Sequence, residues 1–431
     1  MLAKSKKFTM TAWLICGLGA LFYAYEYLLR ISPSAMETSL RHHFGLTATG
    51  FGLLSSVYYY AYVPMQLPVG VLMDRFGPKR LLTFACLICV IGTLLFSQTQ
   101  NYQIAMVGRF LVGAGSAFAF VGVLKLATIW LPENRLAMVA GLTSGLGTLG
   151  AIIGDNLISL MVSKSDWQTT DGYTAIFGVI LAVVLWFGIH DHKRDLKSGG
   201  TINSFKRNLL DLKIILRNKQ IWLNGLFGCL VYLPTTVFAE LWGIPYLVHA
   251  CGMSAAQAAF ANSMLFFGFM VGAPMMGYVS DRLRCRKKPM VFGAVGAATT
   301  MMIILYYPQI PHTSINLLMF VLGLFYSAQT IVFAVGRELS PNEAAGTAIA
   351  LTNMLVMLGA MLLQPLIGRL LDWSAWLHHS TNLLLSNIPV AQITEYGPED
   401  YRLALSIIPI GIVIAAFLTL FIRETHAQAR D

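Results

Sequence analysis

Runs of about 20 apolar residues recur along this chain, separated by short polar stretches, and no other feature constrains its fold as tightly. A run of that length crosses a hydrocarbon layer as a helix, and in lipid only helices and closed barrels satisfy their own backbone. The runs predict spanning helices near 10–36, 48–72, 80–98, 102–128, 136–161, 173–190, 221–248, 255–279, 290–307, 315–336, 346–371 and 401–422. The fold expected is therefore all-α and integral to a membrane, with twelve helices. Composition agrees: 56% of the 431 residues are hydrophobic and 12% charged, where soluble domains are nearer a quarter charged. Mean hydropathy is +0.65.

A net charge of +10 could suggest a nucleic-acid partner, but the distribution of charge argues for a bilayer instead. Basic residues gather in alternate loops: Lys4, Lys6 and Lys7; Arg75, Lys79 and Arg80; Arg135; Lys193 to Lys219; Arg282 to Lys288; Arg337; and Arg423. The intervening loops hold little beyond Arg41, Lys164 and Arg402. By the positive-inside rule both termini are expected in the cytoplasm, as for a multi-pass protein of a bacterial inner membrane. The basic, apolar amino terminus is too long for a signal peptide and shows no small-residue cleavage site, so it reads as helix one. The cysteines are scattered through apolar runs and read as small packing residues.

Two loop landmarks recur. Gly70-Val71-Leu72-Met73-Asp74-Arg75-Phe76-Gly77-Pro78-Lys79-Arg80 lies where one apolar run ends and the next begins. It returns as Gly277-Tyr278-Val279-Ser280-Asp281-Arg282, with Asp281 standing 207 positions after Asp74. Leu131-Pro132-Glu133 is echoed by Ser340-Pro341-Asn342-Glu343, with an offset of 209 between the prolines. Nearly equal offsets imply two homologous halves. The first landmark resembles the loop signature between helices two and three of the major facilitator superfamily. Arg109-Phe110-Leu111-Val112-Gly113-Ala114-Gly115 is similar to that family's helix-four signature, with Val112 where the family has glutamine. Gly154 precedes Asp155 rather than the proline of the drug-antiporter branch.

The resemblance implies two pseudo-symmetric six-helix halves. These are expected over 1–190 and 221–431, joined by a cytoplasmic linker at 191–220 that carries an amphipathic helix. It also implies that Asp74, Arg75, Asp281 and Arg282 are gating residues, latching the halves in the outward-open state.

Ionisable residues inside a membrane are functional candidates by default. The candidates are Glu26 and Arg30 in helix one, Arg109 and Lys125 in helix four, Asp155 in helix five and Glu240 in helix seven. Tyr23, Glu26, Tyr27 and Arg30 share one face of helix one, a face that must point at the bundle interior. Glu26, Asp155 and Glu240 are the candidate proton carriers, and a bridge from Asp155 to Arg30 or Arg109 would satisfy both charges. Pro234 should kink helix seven below Glu240. Substrate-binding candidates are Tyr23, Tyr27, Arg30, Tyr58, Tyr62, Arg109, Asn262, Tyr326, Gln329 and Asn353, whose hydroxyl, amide and guanidinium groups suit a small polar ligand.

No phosphate-binding loop of the Gly-x4-Gly-Lys-Ser/Thr type occurs, so nucleotide is not the expected energy source. The adjacent histidine pairs His42–His43 and His378–His379 do not make ligand geometry for one metal, and no cofactor is expected. An enzyme is therefore not expected. A ligand sensor would normally carry a soluble extension, which is not seen. The reading is a monomeric secondary active transporter with a small-molecule substrate and the proton as partners. It would take up an amino-acid-like zwitterion or an organic anion by alternating access. The stretch Tyr25 to Pro33 leading into Phe51 to Ser55 is similar to nutrient transporters of intracellular gammaproteobacteria. The alternative is a transporter of siderophores or other organic anions, importing or exporting.

Overall fold

The computed structural model describes residues 2–132, 135–190, 213–307, 310–341, 344–382 and 396–426. Eleven helices are long and apolar enough to cross a membrane. In chain order with a broken twelfth they are α1 (Leu2–Ala35), α2 (Ala48–Met65 and Pro68–Phe76), α3 (Pro78–Gln98), α4 (Tyr102–Trp130), α5 (Leu136–Lys164), α6 (Trp167–Gly188), α7 (Lys219–His249), α8 (Ala255–Leu283), α9 (Lys287–Tyr306), α10 (His312–Glu338), α11 (Ala345–Asn382) and α12 (Pro398–Leu418). α2 is expected as one span and is interrupted at Gln66 and Leu67, because Pro68 has no N–H to offer and Pro64 stands in the turn before it. α6 starts at Trp167, earlier than the apolar run suggests, with Asp166 capping it through Thr169 N.

The chain is a multi-pass membrane protein of two six-helix halves. Large apolar side chains point outward where lipid would lie, among them Phe84, Ile153, Ile180, Phe292 and Phe417. The expected linker falls mainly on 191–212, outside the described residues.

Helices α2 and α11 bring the two halves into backbone contact. A Cβ added at Gly52 would stand 2.6 Å from the carbonyl oxygen of Gln364, and one at Gly368 would stand 2.2 Å from that of Ala48. Only glycine permits that approach. The contact lies toward the face opposite the termini, and other bonds close that face. Asp372 of α11 accepts from the amides of Ala48 and Thr49, each at 3.0 Å, and so caps α2 from the other half. The Tyr396 hydroxyl reaches Ala48 N at 2.9 Å. Glu37, in the short helix Glu37–Phe44, holds Arg41 at 2.9 Å and lies 3.5 Å from His249 of α7. Burial works against the Glu37 charge, but the hydrogen bond from His249 and the Arg41 guanidinium hold its carboxyl below the ordinary value.

The terminus-bearing face is different. Among the described residues no ion pair joins the halves there. Arg75 lies over the Phe76 ring, Arg282 donates to the Tyr278 hydroxyl, and Asp281 pairs with Arg286 at 2.6 Å. The Asp74 side chain lies outside the described residues. Among the described residues, Arg75, Asp281 and Arg282 thus make contacts only within their own halves, and the bonds between the halves close the other face.

Candidate functional site

The polar face of α1 ends in a buried nest around Arg30. Its Nη2 donates to both oxygens of Glu26, at 2.9 and 3.1 Å, one helical turn back. Its Nε donates to the Tyr58 hydroxyl at 3.1 Å, and that hydroxyl donates to Glu26 Oε2 at 2.9 Å. The guanidinium lies 4.5 Å from the Tyr27 ring centroid, 5.0 Å from that of Tyr62 and 5.5 Å from that of Tyr58. On its open side Nη1 stands 3.8 Å from Glu240 Oε1 of the other half. Glu26, Arg30 and Glu240 are all fully or almost fully buried. A buried ion triad is weak evidence for stability, since desolvation offsets the attraction. Its position on the inter-half seam argues for use.

Glu240 is held by an unusual stretch of α7. Pro234–Trp242 is a π-helix, begun by a proline that cannot donate. The expected kink is therefore a widening of the turns. Carbonyls in it are taken up by side chains: Gln364 Nε2 donates to Thr236 O at 2.7 Å, Asn262 Nδ2 to Ala239 O at 2.9 Å, and Ser34 Oγ to Leu241 O at 3.0 Å. Those donors come from α11, α8 and α1. The Tyr59 hydroxyl donates to Glu240 Oε2, while Oε1 has no hydrogen-bond partner.

Several expected contacts fall elsewhere. Asp155 of α5 meets neither Arg30 nor Arg109; its Oδ2 accepts from Asn262 Nδ2 at 2.7 Å, across the halves. Arg109 turns its Nη1 and Nη2 onto the carbonyls of Leu29 and Arg30, at 2.8 and 3.3 Å, and stands behind α1 rather than beside Glu240. Asn353 donates to Gln66 Oε1 at 3.0 Å, an amide at the break in α2. Tyr23 packs edge-on against Tyr27. Tyr27 lies 3.5 Å from the Tyr232 hydroxyl, and Tyr232 packs on Tyr326, whose own hydroxyl has no partner. Gln329 is buried in the 3-10 turn Ser327–Thr330 of α10.

Tyr59, Tyr232, Asp171 and Asp372 belong to this interior and are not singled out by the sequence. Tyr59 sits beside the tyrosines that are, so an aromatic run in a spanning helix was the available signal. Among the described residues no group of three or more His, Cys, Asp or Glu side chains could hold a metal ion.

Residues 15–364 match the model of the Major Facilitator Superfamily, and the chain belongs to that family. It is 26% identical over 289 residues to a probable sulfoacetate transporter, SauU, of Cupriavidus necator, covering 63% of this chain and 66% of that one, just under two thirds of its length. It is 25% identical over 403 residues to a probable galactarate/D-glucarate transporter, GudP, of Bacillus subtilis, covering 85% and 87%. The crystal structure of a bacterial homolog to the human lysosomal transporter Spinster, inward-facing and unoccupied, superposes with a TM-score of 0.76 at 15% identity, over 96% of this chain and 97% of that one. This last likeness concerns the fold.

Proposed function

We propose that this chain is a secondary active transporter for a small organic anion, coupled to protons and working by alternating access in a bacterial inner membrane. The observation that carries the reading is Arg30. It is a buried guanidinium on the seam of the two halves, its fork filled by the chain's own Glu26 and walled by tyrosines. A substrate carboxylate or sulfonate can replace Glu26 on that fork. The displaced glutamate then lacks a counter-charge, and taking a proton removes the cost. Anion and proton binding so favour each other. Sulfoacetate and galactarate or D-glucarate, for which relatives are named, carry anionic groups that suit the same guanidinium.

With the termini in the cytoplasm, closure at the opposite face makes this the inward-facing state of a carrier that works as a monomer. The latch assigned to Asp74, Arg75, Asp281 and Arg282 would then form in the other state. A second reading is an amino-acid-like zwitterion, favoured by the unpartnered oxygens of Glu240 and Asp155, which could receive an ammonium group. It is the reading that the sequence resemblance to nutrient transporters of intracellular gammaproteobacteria would imply; a siderophore carboxylate would use Arg30 as well. The chain itself is taken to catalyse no reaction.

Counterflow in proteoliposomes tests the readings. D-glucarate and sulfoacetate should exchange, and an imposed acid gradient should drive accumulation. Exchange of amino acids alone moves the assignment to the second reading, and exchange that ignores the gradient removes the proton.

A further inference from the structure

One buried acid has no part in this scheme. Asp171 lies in the first turns of α6, 1% exposed, and neither carboxylate oxygen receives a hydrogen bond from the protein. The titratable groups facing this part of the helix are Tyr25 of α1, Cys86 and Cys89 of α3, Arg109 of α4, and His43, which packs on Trp167. The neighbouring hydroxyls are committed elsewhere: Tyr25 donates to Thr174 O at 3.1 Å and Thr174 Oγ1 to Asp171 O at 2.8 Å. The charge that acts on Asp171 is Arg109.

Arg109 is the complementary case. It is buried, two of its nitrogens hold the Leu29 and Arg30 carbonyls, and its Nε has no partner. One donor and one carboxylate of opposite charge are thus left over within a single half, and no hydrogen bond joins them. An ionised carboxylate buried without a hydrogen bond is strongly disfavoured. The cost is relieved either by a proton or by Arg109 as a partner. A closer partnership requires Arg109 to turn, and turning weakens its hold on α1.

We propose that Asp171 is a second proton-binding site, in exchange with the α1 backbone for Arg109. With a proton on Asp171, Arg109 holds the carbonyls of Leu29 and Arg30 and fixes the turn that aims the Arg30 side chain. When that proton leaves to water, the carboxylate takes the Arg109 guanidinium, the bonds to the two carbonyls break, and the turn bearing Arg30 loosens. Asp171 is a positioning residue in this arrangement, acting on the anion site through Arg109 and touching no substrate. Only the consequence for transport rests on the function proposed above.

The test uses the full chain in nanodiscs, with infrared difference spectra recorded on pH jumps. The carbonyl stretch of a protonated carboxylic acid should be present in wild type, in Glu26→Gln and in Glu240→Gln. One component should be missing from Asp171→Asn and restored in Asp171→Glu. If the amide variant does not fold, Asp171→Leu, apolar and of similar volume, makes the same comparison. An Asp171→Asn spectrum equal to wild type overturns the site. In proteoliposomes, Asp171→Asn should keep counterflow and move fewer protons per substrate, read from the reversal potential. A missing band with unchanged stoichiometry means a proton that never leaves, which overturns the exchange. If wild type shows no substrate exchange at all, the transport reading fails while the infrared comparison still decides the site.

Discussion

Replacing Asp372 by alanine should open the face opposite the termini. In the closed arrangement Asp372 accepts from Ala48 N, from Thr49 N and from Thr49 Oγ1, all across the seam. Its bond from Tyr396 stays within its own half and is left out of the count. Hydrogen bonds to a charged group are worth about 1.5–3 kcal/mol each. When the halves part, water repairs part of that loss, so the lower end applies. Counting only the two amides gives about 3 kcal/mol, a factor of roughly 150 in the ratio of closed to open. A resting ratio of about 99:1 would fall to near parity. Spin labels at His42 and Gln257, exposed positions on this face in opposite halves, report the distance across the seam. Asp372→Ala should add a longer-distance population. Ser374→Ala, whose side chain meets Asp400 rather than α2, should not. Distance distributions that coincide for wild type and Asp372→Ala would refute the assignment of closure to this cap.

The remaining expectations are more compact. Gly368→Val places atoms within the Ala48 carbonyl, so the same label pair should move apart, with a lower unfolding temperature in detergent. Arg30→Lys keeps the charge and loses the fork, and anion affinity by calorimetry should fall about tenfold to a hundredfold. Glu26→Gln imitates the protonated acid, so counterflow should persist while acid-driven accumulation disappears. Glu424 caps α9 from the carboxyl-terminal segment, accepting from Arg286 N at 2.8 Å and Lys287 N at 2.9 Å. Burial opposes its charge, but those amides bring it down to about 2 from 4.5, so its contribution is present above 4.5 and lost as pH falls toward 2. Glu424→Gln should lower the unfolding temperature by the same amount at pH 6 and pH 8, and a difference that changes between those two would contradict the cap.

The helices were legible because the bilayer imposes both their length and their apolarity, and the equal loop offsets betrayed the halves. What the sequence hid follows from the same rule. The first turns of α6 read Trp167-Gln168-Thr169-Thr170-Asp171, too polar to extend an apolar run, so the helix expected from 173 leaves out Asp171, which lies buried. Glu26 and Arg30 were legible as a pair because four residues make one helical turn. The cross-seam partners of Asp155, Glu240 and Asp372 were not, since each lies more than 100 positions away and no local periodicity encodes which helices face across the seam. The tyrosines of α2 show the intermediate case. Tyr58 and Tyr62 lie one turn apart, as expected, and their rings stack at 5.6 Å, but it is the adjacent Tyr59 that reaches Glu240.

Contacts from α1, α2, α8 and α11 meet on α7, and on the function proposed above that convergence is the route by which a ligand would act on closure. The π-helical stretch offers carbonyls that side chains of α1, α8 and α11 occupy, and it presents Glu240 to both Arg30 and Tyr59. The Asn262 amide joins two of these links, since it donates to Ala239 O and to Asp155 across the seam. An anion that draws Arg30 toward itself therefore changes what Glu240 balances. Any rotation of α7 that follows must strain the bonds to Ser34 and Asn262 together. On the function proposed above, closure and occupancy would be coupled through this π-helical segment, which begins with a proline that has no N–H to donate. Restoring an ordinary helix there, by Pro234→Ala, should leave Arg30 and Glu26 paired while loosening the seam. The pairing is read from anion affinity and the seam from the label distance, so an unchanged distance alongside a changed affinity would show that the wide turn serves the site and not the closure.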